Sequence, residues 1–114
     1  MKSVHEIALF TSNVQAMIGF YRKLLEAEPV AKSEGMAIFM AGTTKVMIHK
    51  SYEPKPGELP SESHLAFSVK NVDEACNDLQ AQGLRVEIAP NNYYWGRSAY
   101  LRDPDGHLIE LSQS

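Results

Sequence analysis

The sequence predicts an α+β fold made of two tandem βαβββ modules. Three observations carry that prediction. First, Glu6-Ile7-Ala8-Leu9-Phe10-Thr11-Ser12-Asn13-Val14 aligns without gaps on His64-Leu65-Ala66-Phe67-Ser68-Val69-Lys70-Asn71-Val72, and Asn-Val closes both segments. Second, at the same offset Val14, Met17, Ile18 and Tyr21 fall on Val72, Ala75, Cys76 and Leu79. Each set has the i, i+3, i+4, i+7 spacing of one helix face. Third, Asp103-Pro104-Asp105-Gly106 lies between two apolar stretches and is hairpin-turn chemistry. Proline presets φ there, and Asp-Gly tolerates positive φ. A repeated strand–helix start followed by strands divides the chain into halves.

In chain order, the first strand covers Ser3 to Thr11, with Ile7 and Leu9 on one face and Glu6, Ala8 and Phe10 on the other. A helix runs from Val14 to Glu26, capped by Asn13 and followed by Pro29. Val30–Ser33, Met36–Ala41 and Lys45–Lys50 read as strands, separated by Gly35 and Gly42-Thr43-Thr44. Residues 51–63 contain three prolines, a glycine and many polar side chains, the composition of an extended linker. The second module starts at His64. Its helix spans Val72–Gln82, with Asn71 and Glu74 forming a capping box and Gly83 as the stop. Leu84–Ile88, Ser98–Leu101 and His107–Ser112 are its later strands, and Asn91-Asn92-Tyr93-Tyr94-Trp95-Gly96 reads as an aromatic loop.

Composition narrows the function classes. The 114 residues are 44% hydrophobic and 22% charged, ordinary for a globular domain able to bury a core. A net charge of −3 without a Lys/Arg cluster argues against nucleic acid as a partner. The single cysteine excludes an internal disulfide and fits a reducing compartment. With neither a signal-peptide run nor a segment long enough to span a bilayer, the expectation is a soluble, cytoplasmic protein with no membrane partner.

Glu110 is a carboxylate in mid-strand, on one face with Leu108 and Ser112, while His107, Ile109 and Leu111 share the other. Taken alone it reads as a solvated side chain on an open sheet face. The duplicated unit, Phe20-Tyr21-Arg22-Lys23-Leu24-Leu25 and the Asp103-Pro104-Asp105-Gly106…Ile109-Glu110-Leu111 ending together resemble the vicinal oxygen chelate superfamily. That superfamily includes glyoxalase I, fosfomycin-resistance proteins, extradiol dioxygenases, methylmalonyl-CoA epimerase and bleomycin-binding proteins. The resemblance implies curved mixed sheets forming a cup, with metal ligands on the first and last strands of each module. It is specific for fold and leaves the reaction open.

Matched residue by residue, the resemblance puts Glu6, Met47, His64 and Glu110 at the ligand positions. His64 and Glu110 fit the usual pattern. Glu6 stands where most members have His or Gln, and Met47 replaces a Glu or Gln with a thioether, a poor donor for a hard ion. Glu6, His64 and Glu110 are the implied metal ligands, with Glu110 and Glu6 also the implied proton-moving carboxylates. His5 turns to the opposite face if Glu6 faces the cup, and a one-residue bulge would reverse that choice. One imidazole and two carboxylates suit Mn²⁺, Fe²⁺, Ni²⁺ or Zn²⁺ with positions left for a substrate bearing neighbouring oxygens.

Around these, Met47 and His49 share a strand face and are candidate ligand-binding residues, although a His at a strand end is more often at the surface. Tyr94 and Trp95, with Tyr93, either close over the cup or pack in a subunit interface. Arg97 and Tyr100 are candidates for a polar or anionic group. His107 is left out of the site, and Cys76 reads as a core side chain. Ser98, Tyr100, His64 and Glu110 suggest the fosfomycin-modifying branch, but Pro90 and Asn91-Asn92-Tyr93-Tyr94 stand where its basic residues are expected. Two functions follow: a divalent-metal-dependent lyase, isomerase or dioxygenase acting on a small oxygen-bearing molecule, or a metal-free protein that binds a small molecule or antibiotic. A homodimer is the expected assembly.

Overall fold

A computed structural model describes residues 2–114. It divides into two compact units, Glu6–Ser63 and His64–Ser114 with the residues up to His5. Each half of the chain is a βαβββ module, as expected: β1 (Ser3–Thr11), α1 (Val14–Leu25), β2 (Ala31–Lys32), β3 (Met36–Ala41) and β4 (Thr44–Lys50), then β5 (His64–Val69), α2 (Val72–Ala81), β6 (Val86–Tyr93), β7 (Gly96–Arg102) and β8 (Leu108–Gln113). No helix among the described residues is long and apolar enough to cross a membrane.

In the first module the strand order is β2-β3-β4-β1. β1 runs parallel to β4, while β4, β3 and β2 are antiparallel neighbours, so the sheet is mixed. Asn13 caps α1 by accepting a hydrogen bond from the Ala16 N–H at 3.1 Å. The helix ends at Glu26, whose left-handed φ of 52° lets its N–H reach the Arg22 carbonyl. Val14 and Ile18 bury against Ala37, Phe39, Val46 and Ile48, with Leu9, Met17, Tyr21 and Leu25 packed around them. Period-2 alternation therefore gives one sheet face to the helix. Glu6, Ala8, Phe10, Lys45, Met47 and His49 take the other, in the register Glu6 with Lys45, Ala8 with Met47 and Phe10 with His49.

Residues 51–63 form no strand or helix, but they are more than a tether. Tyr52 donates its N–H to Ser61 Oγ and its hydroxyl to the Leu59 carbonyl, each at 2.9 Å. Ser63 Oγ accepts the Phe10 N–H at 3.1 Å. The segment is a loop closed on itself and pinned to β1.

The second module repeats the plan, with order β5-β8-β7-β6 and β5 parallel to β8. Asn71 caps α2 by accepting from the Glu74 N–H at 3.0 Å, and Gly83 follows the helix at φ 90°. Val72 and Cys76 pack on Val69, Ala99, Leu101 and Leu111. Burial, then the charge of Asp73, pushes the Cys76 thiol up, so it stays protonated in the core. At the last hairpin the Gly106 N–H reaches the Asp103 carbonyl and the Asp103 N–H reaches the His107 carbonyl. Gly106 takes the positive φ, 89°, that the Asp-Gly pair predicts.

One expectation needs correction. Asn91-Asn92-Tyr93-Tyr94-Trp95-Gly96 is mostly strand, not loop. Asn91 pairs with Ser98, Asn92 with Arg97 and Tyr93 with Gly96, leaving Tyr94-Trp95 as a two-residue turn. Shifts in register between Val86 and Ile88 and between Ile88 and Asn91 let the strand pass Pro90 without losing its partner. Edge strands tolerate such bulges, and local composition did not reveal this one.

Candidate metal centre

The Asp103–Gly106 turn sets the β7–β8 register, and that register builds the site. Tyr100 stands opposite Glu110, and Ser98 opposite Ser112. Across the parallel pairing, Ala66 lies beside Glu110 and His64 beside Leu108. Alternation thus puts His64, Ala66, Ser98, Tyr100, Leu108 and Glu110 on the sheet face away from α2. This face is closed to water at its centre. Ser98 and Ala66 are buried, and Glu110 is 5% exposed.

His64 Nε2 lies 3.1 Å from Glu110 Oε1, with both side chains under one-tenth exposed. Ser98 donates its hydroxyl to Glu110 Oε2 at 2.8 Å, and the Trp95 indole N–H donates to Ser98 Oγ at 3.0 Å. The Tyr100 ring meets His64 edge to face at 6.0 Å and Tyr93 at 6.3 Å. Tyr93 stacks parallel on Trp95 at 4.6 Å. Burial pushes the Glu110 carboxyl up, but hydrogen bonds from His64 and Ser98, the His64 charge and the Trp95 indole together outweigh it. The carboxyl is held below its usual range and is anionic at neutral pH. The same burial, with the Glu110 charge, raises the Tyr93 phenol. Among the described residues no buried side-chain nitrogen or oxygen lacks a partner.

The pair fits a metal ion. Donors each about 2.1 Å from one ion and at right angles stand about 3 Å apart, close to the His64–Glu110 separation. With Oε2 held by Ser98, Oε1 is the oxygen turned toward the imidazole.

The remaining expected residues take the following places on their own elements. The register from Glu6 to Thr11 is uninterrupted, so half-buried Glu6 shares the face of Ala8, Met47 and His49, opposite α1. Met47 lies between Ala8 and Ile38. His49 donates Nδ1–H to the Lys50 carbonyl at 2.8 Å and packs against Phe10 and Tyr52. It also lines a cavity of 530 Å³ with Met36, Lys50 and Tyr52. Tyr94 is 92% exposed, edge-on to Trp95. Arg97 takes the α2 side of β7, where it grips both carboxylate oxygens of Asp73 at 2.8 and 2.9 Å and Asn92 at 3.0 Å. Its neighbours Ser98 and Tyr100 alternate to the site face. Tyr93 was expected as part of the aromatic cover and Ser98 as a pointer to the fosfomycin-modifying branch; that Ser98 secures Glu110 was not expected. The signal for Ser98 was the hairpin register, since a turn centred on residues 103–107 places Tyr100 against Glu110 and Ser98 two residues away on the same face.

The profile of the glyoxalase/bleomycin resistance protein/dioxygenase superfamily matches residues 3–111. The chain belongs to this superfamily. Virulence protein STM3117 of Salmonella typhimurium is 25% identical to it over 96% of the chain and 83% of that protein. Metallothiol transferase FosB of Shouchella clausii is 27% identical over 97% of the chain and 80% of that protein. Among solved folds, Streptomyces coelicolor methylmalonyl-CoA epimerase in complex with 2-nitronate-propionyl-CoA superposes with a TM-score of 0.71 at 20% identity, covering 98% of this chain and 94% of that one. The βαβββ duplication is thus the superfamily's plan.

Proposed function

We propose that the protein is a divalent-metal-dependent enzyme of the glyoxalase and dioxygenase type, acting on a small molecule with neighbouring oxygens. The observation that carries the reading is the buried His64 Nε2 and Glu110 Oε1 pair, 3.1 Å apart, with the carboxylate kept anionic in a site closed to water. Glu6 supplies the third donor in this proposal. It is the counterpart of His64 in the internal repeat, and an imidazole with two carboxylates is a donor set that holds Mn²⁺, Fe²⁺, Ni²⁺ or Zn²⁺. Relatives named metallothiol transferases, the FosB proteins, support the metal reading.

The ion, when bound, supplies Lewis-acid stabilisation of charge developing on a substrate oxygen. The protein's own groups do the rest. His64 and Glu110 hold their donor atoms in place, Tyr100 packs the imidazole edge-on, and Ser98 occupies the second carboxylate oxygen. Tyr93 and Trp95 offer a stacked aromatic wall for the apolar part of a ligand, with Trp95 partly open to solvent. Glu110 and Glu6 are the proposed carboxylates for moving a proton. A cytoplasmic homodimer is the proposed form.

The test is elemental analysis of protein purified without tag or chelator, repeated on His64→Ala. About one transition metal per chain, lost in the variant, supports the enzyme reading. A chain that takes up none of the four ions overturns it and leaves a metal-free binding protein, to be screened with aromatic ligands by Trp95 fluorescence.

A further inference from the structure

Glu110 is held by a hydrogen-bond chain whose direction has only one solution. An indole nitrogen can only donate and a carboxylate can only accept, while a hydroxyl has one proton to give. The Trp95 N–H therefore points into Ser98 Oγ at 3.0 Å, and the single Ser98 proton points into Glu110 Oε2 at 2.8 Å. Ser98 is fully buried, so no water competes for that proton. Trp95 by contrast sits at the two-residue turn of the β6–β7 hairpin, 42% exposed, its ring fixed parallel to Tyr93. The chain thus runs from the protein surface to the buried carboxylate in two steps.

We propose that Ser98 and Trp95 are positioning residues that determine which oxygen Glu110 presents. Oε2 is occupied by Ser98, so Oε1 alone is offered to the ion beside His64 Nε2, and Glu110 is held as a one-oxygen ligand. Trp95 strengthens the arrangement in two ways. Its N–H makes the Ser98 hydroxyl a better donor, because linked hydrogen bonds polarise one another. It also prevents that hydroxyl from turning away, since a turned hydroxyl would face the indole proton with no acceptor. Both residues act on the ion through Glu110 and not by touching it.

This inference rests on the metal-centre reading, and one experiment separates the two. Mn²⁺ and Zn²⁺ are titrated calorimetrically into metal-free parent, Ser98→Ala, Ser98→Thr and Trp95→Phe proteins, each first checked for a parent-like circular dichroism spectrum. Removing an outer partner of a ligand typically weakens metal affinity about 10- to 100-fold, which is the loss expected for Ser98→Ala. Trp95→Phe keeps an aromatic ring on Tyr93 but deletes the N–H, and about fivefold is expected, the worth of one ordinary hydrogen bond. Ser98→Thr, which keeps the hydroxyl, should regain most of the affinity that Ser98→Ala loses. If the parent binds the ions and Ser98→Ala and Trp95→Phe bind them equally well, the positioning role is overturned while the metal centre stands. A parent that binds neither ion overturns both. Should Ser98→Ala not fold, Trp95→Phe decides the matter, because its substitution lies at a solvent-exposed turn.

Discussion

Tyr100 and Glu110 stand directly opposite each other on β7 and β8, and the Tyr100 ring lies edge-on to His64. A cross-strand pair and a partner 46 positions earlier in the chain are thereby brought to one point. The consequence is a carboxylate that is buried yet charged, a costly state unless hydrogen bonds satisfy both oxygens. His64 and Ser98 satisfy one each.

Glu110→Gln tests the need for that charge. The amide has nearly the same size and keeps hydrogen-bonding capacity, so the apoprotein should remain folded. Affinity for Mn²⁺ and Zn²⁺ should fall by more than about 100-fold, because a neutral amide is a far weaker donor than a carboxylate. Calorimetric titration reads the difference. Parent-like affinity would move the metal off Glu110.

Phe39→Ala tests the core of the first module. Phe39 is fully buried between α1 and the sheet, beside Ile18 and Ile48. Truncation should cost about 3–5 kcal/mol. Urea unfolding measures it, and a loss below about 1 kcal/mol would mean that the site collapses to refill the space.

Acid should weaken the fold through two surface carboxylates. The Arg97 hydrogen bond holds Asp73 below its ordinary value of 3.8, and the His107 backbone N–H does the same for Asp103. A carboxylate whose folded pKa is depressed adds stability above its unfolded pKa and loses it as pH falls through the folded one. The melting temperature should therefore decline as the pH drops below about 4. Asp103→Asn should flatten that decline. A variant profile parallel to the parent's would place the acid sensitivity elsewhere.

Arg97→Ala should leave metal affinity within about twofold of the parent, since the guanidinium is spent on Asp73 and Asn92 on the α2 side of β7. The thermal effect should be small, as an exposed ion pair contributes little. A large loss of metal affinity would show that Arg97 serves the site face after all.

Much of this was legible in the sequence because it depends on local rules. Asn13 and Asn71 cap their helices by side-chain chemistry confined to one turn. The Asp103–Gly106 turn sets a register from which every facing pair on β7 and β8 can be counted. Period 2 puts Glu110 opposite in sense to Leu111, and the 58-residue offset between Glu6 and His64 announces the duplication. Where Arg97 ends up was also countable, since it is one residue from Ser98, yet its partner Asp73 lies 24 residues away on another element.

By itself, then, the sequence determined the two βαβββ modules, their helix and sheet faces, and the identity of the polar residues in mid-strand. These follow from backbone geometry, which repeats every two or every 3.6 residues whatever surrounds it. Only the tertiary structure decided that Glu110 is buried and not solvated, that Ser98 and Trp95 secure it, and that β6 extends through Asn91 to Tyr93. Burial and strand pairing belong to whatever chain comes alongside, and β5, β6 and β7 reach Glu110 or its partners from up to 46 residues away.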